Sequence, residues 1–502
     1  MNTEKSNIFR SIQDSVDDNI KRLENELGNS ADLSIRKLKF TGDKNVAIIH
    51  FDGIVDEESI NNNVVNRIIK LLNECNTSVT TEHLADKIFQ IISITSVKYV
   101  SEWFQLIDSL LSGDTIILID GNQKAITIAT RKFQSRSINE PTSQTVIKGP
   151  KDSFTENMGT NISLIRSRIQ NSKLRLKQTK VGDITKTDVG IMYIEGIADK
   201  DMVKEVISRV KRIKIDNVLD SNYIEGAIKD HRNTIFPLLQ NSERPDVVAG
   251  NLLEGKIAIF IQGTPFVLTL PVYFVQFFHS PEDYYENNVF SSFLRLVRIG
   301  TFLVNMYASA IYLALITHHH GLIPTTLMVT LMAQRERVPF PAIIELLLME
   351  LAFEVLREAG VRMPRAIGPA VSIVGALILG QAAVEAGFVS AAIVIIVATS
   401  AISSFTLPYT SVVNVARGLR FILIFCSAFI GFYGILLFTL CILLHLCSLR
   451  SFGVPYFAPF SPLRIGAQKD SLIRFPIHSL FMRQSKVEQS NEMQTNTSRG
   501  QK

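Results

Sequence analysis

The sequence is poor in cysteine and tryptophan, with four cysteines and one tryptophan in 502 residues. Cys75 stands alone in the first half, and Cys426, Cys441 and Cys447 fall within one apolar run near the C-terminus. This spacing provides neither a disulfide framework nor a set of metal ligands.

The sequence also lacks the loops that usually bind phosphate, since neither GxGxxG nor GxxxxGK[ST] occurs. A metal or acid/base cluster is conceivable at four neighbouring acids, Asp52, Asp56, Glu57 and Glu58. Turn formation and the preference of acids for helix N-termini account for them as well, and we favour that interpretation. The sequence therefore predicts no catalytic residues and no cofactor.

Three consecutive histidines, His318 to His320, invite a metal-site interpretation. Consecutive residues at a helix end point in different directions, however, so they are poorly placed to bind one ion. We favour a cap at a membrane interface, and we predict no metal site.

Hydrophobic residues make up 46% of the chain, and the mean hydropathy is +0.20. They are unevenly distributed, because residues 1 to about 285 have the composition of a soluble α/β protein and residues 290–450 hold the long apolar runs. The first 35 residues are polar and lack the apolar region of a signal peptide, so we expect a cytoplasmic N-terminal region. The net charge of +5 is modest and gives no reason to expect a nucleic-acid partner.

The soluble part contains an internal repeat. VAIIHFDGIVDEE at 46–58 matches VGIMYIEGIADKD at 189–201, and GDTIILIDGNQKAITI at 113–128 matches GKIAIFIQGTPFVLTL at 255–270. The second pair has the pattern of a strand, a tight turn and a strand. The repeat predicts two tandem α/β subdomains, each with a strand, helices and a closing hairpin.

A helical membrane domain is predicted to follow. A helix needs about 20 apolar residues to cross a bilayer core, and the apolar runs within residues 290–450 are of about this length. The predicted organisation is a flexible leader (1–35), a first cytoplasmic α/β subdomain (36–132), a connector (133–174), a second α/β subdomain (175–288), a transmembrane domain (289–450) and a basic cytoplasmic tail (451–502). Four spans are expected at about 291–317, 366–384, 388–405 and 421–449, with re-entrant or interfacial helices at about 325–358.

The run at 366–384 is uncharged and rich in small residues, which let neighbouring helices approach closely. Helix packing is one interpretation. The other is that one helical face lines a narrow apolar constriction, which gates by dewetting when copies of the chain surround an axis. The residues of that face are Ile367, Val371, Val374 and Ile378.

An acidic stripe precedes that run. Glu350, Glu354 and Glu358 are four residues apart and share one face of a largely apolar helix, with Glu345 five residues before Glu350. Two hypotheses remain open for Glu345, Glu350 and Glu354: they attract cations to a pore mouth, or they pair with arginines. The candidate arginines are Arg335, Arg337 and Arg362.

Four long stretches closely resemble the A subunit of GerA-type spore germinant receptors. They are GPKDSFTENMGTNISLIRSRI (149–169), ERPDVVAGNLLEGKIAIFIQGTPFVLTLPVYFVQFFHSPEDYY (243–285), EVLREAGVRMPRAIGPAVSIVGALILGQAAVEAG (354–387) and LRSFGVPYFAPFSP (449–462). A sporulation-stage paralogue, the stage V sporulation AF-like protein, shares these motifs. The first subdomain and the tail diverge from the family.

The resemblance implies a protein of the spore inner membrane that acts with a transporter-like B subunit and a lipoprotein C subunit. It also implies a homo-oligomer that conducts ions when a nutrient is sensed. A transporter of small solutes is the alternative. Such transporters usually have inverted repeats in the membrane part, whereas the repeat in this chain lies in its soluble part. A membrane-anchored enzyme would need a catalytic constellation within 36–285, and we find none there.

Overall fold

The computed structural model describes residues 11–40, 44–74, 81–94, 96–132, 140–141, 143–362, 380–463 and 470–476. These residues form two compact units. The first unit holds the described residues up to Arg232 together with Leu239–Pro271, and the second holds Asn233–Leu238 and the described residues from Val272 onward.

The first half of the first unit is a five-stranded antiparallel sheet with helices on both faces. Its elements are α1 (Val16–Leu27), β1 (Leu33–Phe40), β2 (Lys44–Phe51), α2 (57–74, with a π-helical turn at Asn61–Val65), α3 (Thr81–Ile91), β3 (Val97–Val100), α4 (Trp103–Leu111), β4 (Thr115–Ile119) and β5 (Ala125–Ile128). The strand order is β1-β2-β4-β5-β3. One core lies between the sheet and α1 and α4, and the other lies between the sheet and α2 and α3.

The second half of the first unit repeats this plan. Its elements are α5 (Met158–Arg168), β6 (Leu174–Val181), β7 (Thr187–Ile194), α6 (Lys200–Lys211), α7 (Ser221–Ile228), β8 (Gln240–Ser242), α8 (Pro245–Leu253), β9 (Ile257–Ile261) and β10 (Val267–Leu270). The strand order, β6-β7-β9-β10-β8, is that of the first sheet. The repeated sequence segments therefore correspond to two α/β subdomains of the same topology.

The repeat extends further toward the N-terminus of each subdomain than the sequence segments indicated. Residues 16–27 form α1 rather than a flexible leader, because Val16, Ile20, Leu23 and Leu27 recur at helical spacing and are buried. The corresponding helix α5 falls within the predicted connector. Each subdomain thus begins with a helix.

The first helix of each subdomain is held by the same polar contacts. Asn19 is 1% exposed and forms two hydrogen bonds with the backbone of Gln13, donating at 2.7 Å and accepting at 3.0 Å. Asn161, also 1% exposed, forms the same pair with the backbone of Thr155 at 2.6 and 2.7 Å. These contacts fix the chain that enters each helix.

A buried ion pair joins the two subdomains. Arg166 of α5 donates to both carboxylate oxygens of Asp32 at 2.7 and 2.9 Å, and also to Ser30 at 2.9 Å. Its guanidinium carbon lies 4.4 Å from the centre of the Phe51 ring. Arg166 and Asp32 are 2% and 6% exposed, so the pair is shielded from solvent.

The edge strand β3 is short. It comprises Val97–Val100, and α4 begins at Trp103. Four residues that include two valines and a tyrosine suit an edge strand, and they are too few to show a clear period.

The second unit is helical. Among the described residues, its helices are α9 (Asn288–Thr317), α10 (Thr325–Arg335), α11 (Ala342–Arg362), α12 (Ala391–Ser404), α13 (Thr410–Ile430) and α14 (Phe432–Ser448), with a short α-helical turn at Ala383–Glu385 and short 3-10 helices at Phe274–Phe278, Pro281–Tyr284 and His320–Leu322. Two of them, α9 and α13, are long and apolar enough to cross a membrane. The predicted span at 366–384 lies largely outside the described residues.

The last predicted span, 421–449, is divided in the structure between α13 and α14. The break falls at Gly431, which has a φ of 66°. A Cβ atom there would lie 2.6 Å from the His319 ring, so glycine is required for both conformation and space. Because α13 begins at Thr410, it also carries Arg417 and Arg420, which the prediction placed before the span.

Part of the predicted tail also packs into the second unit. Arg450–Ser451 and Val454–Pro455 form a small antiparallel ladder, and Tyr456 is fully buried. Asp470 and Arg474 are 7% and 5% exposed.

We expect Asn19→Ala to lower the free energy of unfolding of the first subdomain by about 1–3 kcal/mol, because backbone groups of Gln13 lose buried partners. The single tryptophan, Trp103, is 4% exposed and donates to Glu26 at 2.7 Å. Its fluorescence during urea unfolding of the full chain reports this subdomain. Asn62→Ala, at an exposed position of α2, is the control and should change the value by less than about 0.5 kcal/mol. Equal losses of stability in Asn19→Ala and Asn62→Ala would contradict the stabilising role of the Asn19 hydrogen bonds.

Candidate functional site

The acidic stripe of α11 faces basic and polar groups of neighbouring helices. Glu350, which is 2% exposed, accepts a hydrogen bond from Ser309 of α9 at 2.7 Å. Its other carboxylate oxygen lies 3.1 Å from a guanidinium nitrogen of Arg420 on α13. Arg420 is itself 4% exposed. This contact is a buried ion pair between two helices.

Glu345 lies five residues before Glu350 and is fully buried. It accepts the backbone N–H of Ser390, just before α12, at 2.5 Å. Its second oxygen lies 3.7 Å from Nε of Arg335 on α10, close enough for an ion pair but too far for a hydrogen bond. Glu345 thus connects α11 to both α10 and the start of α12.

Glu354 lies one turn after Glu350 and pairs with Arg417 of α13. Arg417 also donates to Asn414 at 2.9 Å. The pair is partly exposed, with side-chain exposures of 27% for Glu354 and 20% for Arg417. The next acid, Glu358, pairs with Arg362 on its own helix and is well exposed.

These acids form an array that we call the acid–arginine array, defined by Glu345, Glu350, Glu354, Arg335, Arg417 and Arg420. Of the arginines predicted as partners, Arg335 faces Glu345, and Arg362 faces Glu358 rather than one of the three candidate acids. The partners of Glu350 and Glu354 lie more than 60 residues away on α13, which helix spacing could not reveal. The predicted pore-lining residues Ile367, Val371, Val374 and Ile378 lie outside the described residues.

The array ties α11 to α10 and α13 through charge. Removing one partner of a buried pair leaves an uncompensated charge and costs about 3–5 kcal/mol. Separating α11 from α13 would therefore require both Glu350 and Arg420 to find new partners or reach water.

A second buried charge cluster lies at the start of α9. Asp283 is 1% exposed and accepts from Arg295 at 3.0 Å and from Arg298 at 2.8 Å. Arg295 also donates to Asp470 at 2.9 Å, and Arg474 donates to the backbone oxygen of Glu286 at 2.9 Å. Both arginines lie near the start of the predicted span at about 291–317, and both are buried and paired. Asp283, twelve residues before Arg295, is the sequence signal that could have indicated this pairing.

The acids of the first subdomain have structural roles. Asp56 caps α2 by accepting from the N–H of Ser59 at 3.3 Å, and Asp199 caps α6 in the second repeat. Partial burial, together with the nearby Glu57 and Asp32, raises the pKa of Asp52 to about 6. No group of three or more His, Cys, Asp or Glu side chains suited to a metal ion occurs among the described residues.

His318 and His319 contact different neighbours, as expected for consecutive residues at a helix end. The ring of His318 lies 2.8 Å from the backbone oxygen of Ala428, and the His319 ring lies 5.0 Å from that of Phe432 in an edge-on arrangement. His320 begins a short 3-10 helix. His318 and His319 thus pack the end of α9 against the α13–α14 break.

The structure thus combines a duplicated α/β unit with a helical unit that contains two helices of membrane-crossing length. The model of the Bacillus/Clostridium GerA spore germination protein family matches residues 21–486. The chain belongs to this family.

Several proteins with known names are similar to the chain. Spore germination protein KA of Bacillus subtilis is 45% identical over 468 residues, which cover 93% of this chain and 85% of that protein. Spore germination protein A1 of Bacillus subtilis is 39% identical and covers 89% of this chain and 91% of that protein. The solved N-terminal domain of the A subunit of the Bacillus megaterium spore germinant receptor GerK3 is 36% identical, covers 53% of this chain and 98% of that domain, and has a TM-score of 0.41.

We expect Arg420→Met to destabilise the helical unit by about 3–5 kcal/mol, because it leaves the buried carboxylate of Glu350 without its cation. Adding Glu350→Met should recover most of the loss, since the double variant has no unpaired charge. Arg362→Met is the matched control, because its pair with Glu358 is exposed and should contribute less than about 1 kcal/mol. Thermal unfolding of the full chain in detergent measures all three. Failure of the double variant to recover would contradict the pairing.

We also expect Asp52→Asn to change the pH dependence of the first subdomain. The folded-state pKa of Asp52, about 6, lies above its ordinary value of 3.8. The folded state therefore holds the proton more tightly, and stability falls as pH rises from about 4 to 6. The variant should gain stability relative to the natural chain between pH 4 and 7, as followed by Trp103 fluorescence. Asp18→Asn, at an exposed position of α1, should show no such gain. If Asp52→Asn raised the stability by the same amount at every pH, the raised pKa of Asp52 could not be the cause.

Proposed function

We propose that this chain is the A subunit of a nutrient-responsive spore germination receptor. In this proposal, copies of the chain assemble in the spore inner membrane into an ion-conducting pore that opens when nutrient is sensed. The observation that supports it is the family relationship, because similarity to named spore germination proteins runs through nearly the whole chain.

The proposal includes a membrane-spanning helical domain with a cytoplasmic N-terminal region and C-terminal tail. The lengths and apolar composition of α9 and α13 support the membrane-spanning part of this proposal. Charged side chains within such helices are expected to face the protein interior and to pair. The acid–arginine array and the Asp283 cluster both have this arrangement.

The proposal also assigns the chain two kinds of partner, a transporter-like B subunit and a lipoprotein C subunit. We infer that the B subunit holds the nutrient and that its signal must reach the pore through this chain. No catalytic step is assigned to the chain.

The acid–arginine array bears on how the pore would open. Helix α11 ends at Arg362, directly before the stretch that contains the predicted pore-lining face. Because ion pairs hold α11 to α10 and α13, and a hydrogen bond from Ser390 holds it to the start of α12, α11 can fix the position of that stretch. A nutrient signal that moves α11 relative to α13 would then change the constriction.

The pore is tested by ion release from spores that carry Val371→Ala. If Val371 lines an apolar constriction, the smaller side chain should widen it and allow water to enter. We expect several-fold higher ion release without nutrient. Ile373→Ala is the matched control, because it lies on the opposite face of the predicted helix and should behave like the natural chain.

Two results would contradict this assignment. If properly assembled receptors with Val371→Ala release ions only with nutrient, the 366–384 stretch packs helices and lines no gate. If both alanine variants release ions without nutrient, the effect is a general loss of packing.

A further inference from the structure

The helical unit contains an apolar cavity of about 260 Å³. It lies between α9 and α14, with α13 behind it and the 3-10 helix Phe274–Phe278 at one end. Buried side chains from these elements form most of the wall: Phe274, Phe278, Phe302, Met306, Leu419 and Ile442.

The wall offers almost nothing to a polar ligand. Among the residues that line the cavity, the polar side chains are Tyr307 and Thr439, and their hydroxyl groups bind each other at 3.0 Å. Thr439 also donates to the backbone oxygen of Ile435 at 2.7 Å. Water in a cavity needs two to four polar partners, and an amino acid or sugar would lose its hydrogen bonds with water without replacement. The chemistry of the wall selects a hydrocarbon.

The mouth of the cavity opens onto an apolar surface. Leu303 of α9 and Leu443 of α14 line the cavity but are 47% and 42% exposed, so they form its rim. The surface next to the rim on both helices is apolar and exposed, at Leu296, Val304, Leu436, Leu440 and Leu444. In a membrane, a chain that enters the cavity would come from the lipid and would not cross a polar surface.

We propose that one hydrocarbon chain of a membrane phospholipid occupies this cavity. The inference rests on the proposed membrane location of α9 and α14. An apolar cavity of about 150 Å³ already stays dry and binds benzene, so the larger cavity here has room for a segment of an acyl chain. The lipid chain fills the space between α9 and α14 and is part of the helical packing.

The test uses the full chain in nanodiscs of phosphatidylcholine and phosphatidylglycerol that carry a diazirine near the end of one acyl chain. After illumination, mass spectrometry locates the lipid adducts. We expect adducts on the buried residues Phe302, Met306 and Ile442 as well as on the outer faces of α9 and α14. Adducts confined to the outer faces would overturn the inference and leave the membrane location standing. Absence of adducts from both places would overturn both.

Filling the cavity gives the second arm of the test. Met306→Trp should remove most adducts at Phe302 and Ile442 while those at Leu440 remain. Leu437→Trp, at an exposed position of α14, adds a similar volume outside the cavity and should leave the buried adducts unchanged. Ile442→Phe fills the cavity from the opposite wall. If only one of the two cavity-filling variants elutes from gel filtration like the natural assembly, that variant alone provides the test. Buried adducts that persist in the filled variants would contradict the proposal.

Discussion

The helical unit depends on one constraint, which is that a charge buried among apolar side chains must be paired. Helix α11 carries acids at a spacing that keeps them on one face, and Glu350 on that face is almost completely buried. The arginines of α13 are three residues apart, so Arg417 and Arg420 meet Glu354 and Glu350 in order. Apolar contacts alone would allow α11 to slide or rotate, whereas the charges specify which faces meet and in which register.

Polar contacts specify the first unit in a similar way. The apolar cores of the two subdomains would tolerate small shifts of their first helices, but Asn19 and Asn161 each fix one backbone position through two hydrogen bonds. The bidentate pair of Arg166 with Asp32 then defines how one subdomain meets the other. In both units, buried polar groups supply specificity that general hydrophobic packing lacks.

Local sequence patterns predicted much of the first unit, because strands such as β4 and β9 are continuous apolar runs closed by tight turns. The sequence also showed a repeat, and Asn19 and Asn161 stand at the same separation as Gly121 and Gly263, a signal that could have placed α1 and α5. The candidate site was harder to predict from the sequence. The acidic stripe on α11 could be recognised from its four-residue spacing, but its partners on α13 are distant in sequence and become neighbours only in the fold. The need for glycine at the break at Gly431 arises from His318 and His319, which are close to it in space but also distant in sequence.

The acids Glu345, Glu350 and Glu354 of α11 pair within their own chain, and these pairs set the register of the helices. Cryo-electron microscopy of the proposed receptor assembly in lipid nanodiscs would show whether these pairs persist. If they do, Glu350 and Arg420 of one protomer lie within about 4 Å of each other in that assembly, at ion-pair distance. A map in which Glu345 and Glu350 face a central axis, with Arg420 paired elsewhere, would contradict this pairing and would favour the pore-mouth role of these acids.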